Sequence, residues 1–84
     1  MDWKHELDIK VTLRALEGND NIVEVRQRLA NSIRVESKKL PAEFHQSFED
    51  FAVAMELCED IKEIDCVLDT VYDFADAKKI WMGL

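Results

Sequence analysis

The sequence predicts an α+β fold that is mostly helical, with a three-helix core, a short amino-terminal strand and a candidate short carboxy-terminal strand. Three observations carry this expectation. Leu7 to Arg14 alternates apolar and polar residues without a break, which is the period of a half-buried strand. Three later segments repeat apolar residues every three or four positions instead, and two of them open on capping pairs, Asn21 with Glu24 and Asp60 with Glu63. The tail Ile80-Trp81-Met82-Gly83-Leu84 is short, apolar and partly β-prone. An all-α four-helix bundle is the alternative, because Ile9, Leu13 and Leu16 also stand at helical spacing, although that face leaves Leu7 and Val11 outside it.

Taken in order, residues 6–15 are expected as the first strand, ending at the turn cluster Glu17-Gly18-Asn19-Asp20. Asn21 then caps a first helix running to about Val35, with Ile22, Val25, Leu29 and Ile33 inward and Glu24, Arg28 and Asn31 outward. Pro41, the only proline, suits the first position of a second helix over about 41–58, whose stripe is Phe44, Phe48, Phe51, Ala52 and Met55. A third helix follows over 61–77, with Ile61, Ile64, Leu68, Val71, Tyr72 and Ala75 inward, and Lys78-Lys79 placed to meet the negative end of its dipole. The tail would pair with the amino-terminal strand.

All 84 residues are expected to form one domain, since a chain this short supports a single core. Composition is ordinary for a globular protein, at 48% hydrophobic and 35% charged, so disorder is excluded as the default. No apolar run approaches the roughly 20 residues that span a bilayer, and the start Met1-Asp2-Trp3-Lys4 is too polar for a signal peptide. Cys58 and Cys66 are too few for a disulfide frame, so reduced thiols and a cytoplasmic location are expected, with a bridge between them as the alternative.

Charge is the most unusual feature. The chain carries a net charge of −7, yet residues 1–41 sum to +1, while residues 42–77 hold eleven acids against Lys62 alone. Asp65, Asp69, Asp73 and Asp76 are spaced by four, four and three residues, which puts them on one helix face. Like charges at that spacing each cost a few tenths of a kcal/mol, roughly, so helix stability alone would not select them. One reading is a solvated face that keeps a small protein soluble, with Arg14, Arg26, Arg28 and Arg34 offsetting part of its charge from neighbouring elements. The sharper reading is a docking surface for a basic protein partner, made by Glu49, Glu56, Asp65, Asp69, Asp73 and Asp76. Its extreme form is a mimic of nucleic-acid phosphates, and by analogy only, an inhibitor or counter-defence protein of a phage or other mobile element.

Apolar residues left over from the stripes suggest a second surface. Val53 and Leu57 lie away from the phenylalanine row, Val67 and Phe74 widen the apolar arc of the third helix, and Trp81 stands in the apolar tail. An assembly subunit associating through these five residues, in the simplest case as a homodimer, is the rival to the acidic docking protein.

Enzyme chemistry finds no support. Gly18 and Gly83 cannot build a phosphate-binding loop or a dinucleotide turn. His45 with Cys58 and Cys66 is the one conceivable metal set, at spacings that match no zinc motif. Ser32, Ser37 and Ser47 lack a nucleophile elbow, and the basic cluster Lys38-Lys39 is too small to hold nucleic acid directly. No catalytic residue, cofactor, metal or membrane contact is therefore expected.

Overall fold

A computed structural model describes residues 8–78, which form helices α1 (Asp8–Ala15), α2 (Ile22–Lys38), α3 (His45–Glu56) and α4 (Ile61–Ala77), with one 3-10 turn at Ala42–Phe44 leading into α3. The described residues are all-α and contain no strand, so the α+β expectation is overturned in favour of its four-helix alternative. The expected carboxy-terminal strand lies outside the described residues.

The correction centres on residues 6–15. From Asp8 onward they are helical, and the face at helical spacing is the one that packs: Ile9 and Leu16 are buried and Leu13 lies against the core, while Val11 is left exposed. A lone strand would present unpaired backbone groups, whereas the helix is held from outside. Glu36 on α2 accepts a hydrogen bond through Oε1 from the Asp8 N–H, one of the donors a helix start leaves orphaned, and the hydroxyls of Thr12 and Ser32 bond across the same seam. Gly18 turns the chain after α1 at φ +83, a left-handed conformation that favours glycine.

The other elements follow local chemistry closely. Asn21 Oδ1 accepts from the Glu24 N–H at 3.2 Å and Asp60 Oδ1 from the Glu63 N–H at 2.9 Å, so both predicted caps exist. Helix α2 runs three residues past Val35, because Glu36 is completely buried against α1. Pro41 precedes the 3-10 turn instead of opening an α-helix, and α3 ends at Glu56, two residues early. Ile61 is exposed, not inward.

Each helix packs chiefly on its neighbour in sequence, α1 on α2, α2 on α3 and α3 on α4, around one apolar cluster. Phe48 is its centre: its ring lies 5.7 Å from that of Phe51 and 6.1 Å from that of Phe74, edge to face. Phe74 also meets Phe44 at 6.2 Å and Phe51 at 5.4 Å, a geometry that adds to simple burial. These rings join α4 to α3 and so fix the orientation of the acidic helix.

Candidate functional site

The six acids predicted as one docking face divide into two groups. Glu49 and Glu56 stand two turns apart on α3 and face Arg34 on α2. Arg34 Nη2 is 3.0 Å from Glu49 Oε2, and Nη1 is 2.9 Å from Glu56 Oε2. Gln27 Nε2 adds a bond to Glu56 Oε2 at 3.3 Å. The Arg34 hydrogen bonds hold both carboxyls below their ordinary value of 4.5 and raise the guanidinium further above its own. These two acids therefore tie α2 to α3. The sequence carried a signal for this: Gln27 and Arg34 on one helix, and Glu49 and Glu56 on the other, are each seven residues apart and form facing rows.

A pH prediction follows from the tie. Both carboxyls have a lower pKa folded than unfolded, so their contribution is present at neutral pH and lost as pH falls through the folded values, while Arg34 stays charged throughout. Chemical denaturation should show stability falling as pH drops below about 4.5, with a shallower fall in Arg34→Gln. An identical acid slope in both proteins would contradict the pairing.

Asp65, Asp69, Asp73 and Asp76 form the second group. All four are exposed on α4, and no cation among the described residues lies within ion-pair distance of any of them. Helix α4 has no base in its last turn, so Asp73 and Asp76 also face the negative end of its dipole. Past the end of α4, Lys78 Nζ lies over the Phe74 ring at 5.9 Å from its centroid.

Of the apolar candidates, Phe74 and Val67 are partly buried against the core, and Phe74 is a member of the aromatic cluster. The structure thus covers much of the arc that the sequence left open. Val53 and Leu57 are exposed, Leu57 at 71%. Trp81 lies outside the described residues. Beside Leu57 an apolar groove of about 510 Å³ opens between the end of α3 and the start of α4, lined by Ala54, Leu57, Cys58, Cys66 and Val67.

Both cysteines are free and face this groove, Cys58 buried and Cys66 exposed. The Cys58 thiol donates to the Ala54 carbonyl at 3.4 Å, and desolvation pushes its pKa up. Arg26 Nη1 bonds the Cys58 carbonyl at 2.6 Å, closing the end of α3 onto α2. His45 stands at the opposite end of α3, its Nε2 bonded to the Leu40 carbonyl at 2.8 Å, so the conceivable set of His45, Cys58 and Cys66 is not assembled. Among the described residues no group of three or more His, Cys, Asp or Glu is placed to hold a metal ion, and no helix is long and apolar enough to cross a membrane.

Set against known protein families, curated proteins and solved structures, the chain finds no match in any of the three comparisons.

Proposed function

We propose that this chain is a non-enzymatic interaction protein that docks the exposed carboxylates of α4 onto a basic surface of a protein partner. The observation that carries the reading is the contrast between the two acidic groups. Where the fold uses carboxylates, at Glu49 and Glu56, it supplies Arg34 to meet them. At Asp65, Asp69, Asp73 and Asp76 no cation among the described residues stands within ion-pair distance, and the fold accepts the repulsion. A complementary positive surface would relieve that repulsion and steer association.

Spacing favours general docking over imitation of a phosphate backbone. Eleven residues separate Asp65 from Asp76, so four charges extend over about 16 Å at 1.5 Å per residue. That is one charge per roughly 5.5 Å, sparser than the 3.4 Å axial spacing of phosphates along one DNA strand. An inhibitory role against a nucleic-acid-binding protein is the finer form of the proposal and requires further acids, such as Asp60 and Glu63, to supplement the stripe.

Ionic strength tests the reading. A partner held by these charges should be captured at low salt and mostly released between about 50 and 300 mM, as screening shortens from roughly 14 to 6 Å. Retention unaffected by salt would favour the apolar assembly reading, which the exposure of Val53 and Leu57 supports.

A further inference from the structure

We infer that the groove between α3 and α4 receives the apolar face of a basic amphipathic helix, whose lysines and arginines meet the carboxylates on either side. The inference rests on the acidic docking reading and names the partner's form. At about 510 Å³ the groove has the size of a small-ligand site, and its wall combines Leu57, Cys58 and Val67 with Asp60, Lys62 and Glu63. It is an apolar slot with acids in its lining.

The groove is continuous with further acids on both helices. On α4, Lys62, Cys66, Asp69 and Asp73 recur at steps of four, three and four, so the wall at Cys66 runs directly into the acidic stripe. On α3, Gln46, Asp50, Val53 and Leu57 recur at the same steps and are all exposed, so an apolar pair and a carboxylate lead away from the groove on the other side. An occupant must therefore carry apolar residues on one face and positive charge along both flanks. A helix with anchors at i, i+3, i+4 and i+7 and basic residues beside them has that pattern. An extended strand would need a sheet edge to add to, and none exists among the described residues. A second copy of this chain is disfavoured by charge, because apposed grooves would bring together two segments that each hold eleven acids against one lysine.

The test uses three synthetic 18-residue helical peptides: leucine anchors flanked by lysine, the same lysines with glutamine in place of leucine, and the same leucines flanked by glutamate. Binding is read by fluorescence anisotropy at low salt and mapped by amide chemical shifts. The leucine–lysine peptide should bind at least tenfold more tightly than either control, with the largest shifts at Leu57, Cys66 and Val67. Leu57→Ser, at an exposed position, should weaken it at least fivefold without altering the fold, and Asp69→Asn/Asp73→Asn should weaken it as well. Equal binding of both lysine peptides, with Leu57→Ser silent and Asp69→Asn/Asp73→Asn harmful, would overturn the groove and leave the acidic docking reading intact. Binding of the leucine–glutamate peptide as tight as the leucine–lysine one, or indifference to Asp69→Asn/Asp73→Asn, would overturn both. Reversible dimerisation of the free protein that buries Leu57 would overturn the groove assignment in favour of a second copy.

Discussion

Phe48→Ala is expected to destabilise the protein more than any other single substitution considered. Phe48 has no exposed surface and contacts Phe51 and Phe74 edge to face, so truncation leaves a cavity where α3 and α4 meet. Phenylalanine-to-alanine changes in cores cost about 3–5 kcal/mol. At roughly 0.05–0.15 kcal/mol per residue, a chain this short has a total stability of about 4–13 kcal/mol. The loss is thus a large share of the total, and comparable to all of it at the lower end of that range. Thermal denaturation followed by far-ultraviolet circular dichroism should show a midpoint lowered by at least about 12 °C, or no folded baseline at all. Phe48→Leu, which refills most of the volume, should lose much less. A shift of a few degrees in Phe48→Ala would mean that the aromatic cluster is not the centre of the core.

Glu36→Ala should have the second-largest effect, concentrated in α1. A helix of eight residues is too short to persist in water without tertiary support. Part of that support is the bond from the Asp8 N–H to Glu36 Oε1, made where Glu36 has no exposure and Lys39 Nζ stands 3.6 Å away. Removing the acceptor leaves a donor unpaired at the start of α1, which costs about 1–3 kcal/mol. Glu36 Oε2 has no partner among the described residues, so the carboxylate is imperfectly satisfied, and Glu36→Gln should retain most of the stability. In hydrogen exchange, α1 amides should lose protection in Glu36→Ala well before those of α3 and α4. Uniform loss across all helices, or none in α1, would contradict this tertiary cap.

The same two sites explain what the sequence could and could not reveal. Boundaries set by neighbours within four residues were legible: Asn21 and Asp60 cap their helices as their spacing to Glu24 and Glu63 indicated. The phenylalanine row of α3 was legible because periodicity reports burial directly. The state of residues 8–15 was not, because their apolar residues satisfy both periods and the choice is made by Glu36 and Ser32, which lie 28 and 20 residues away from Asp8 and Thr12. Arg34 was legible as a base that offsets acidic charge, but not which acids it meets, since Glu49 and Glu56 are 15 and 22 residues distant. The stripe from Asp65 to Asp76 was legible as a shared helix face, and exposure of all four residues agrees with it. The groove beside Leu57 was only half visible: Val53 and Leu57 stood out as unplaced, but its facing wall at Cys66 depends on how α4 folds back on α3.

The proposed role of the α4 carboxylates is recognition of a partner, beyond solubilising the chain. Its most direct test compares capture from a host lysate at low salt by the wild type, by Asp65→Asn/Asp69→Asn/Asp73→Asn/Asp76→Asn, and by the charge-matched control Glu17→Gln/Asp20→Asn/Glu24→Gln/Glu43→Gln, after circular dichroism has established equal helicity. All eight substituted positions are exposed, and each variant removes four negative charges. A basic protein should be retained by the wild type and the control and lost by the α4 variant. Equal capture by all three proteins, or equal loss in both variants, would contradict it and reduce the stripe to a source of net charge.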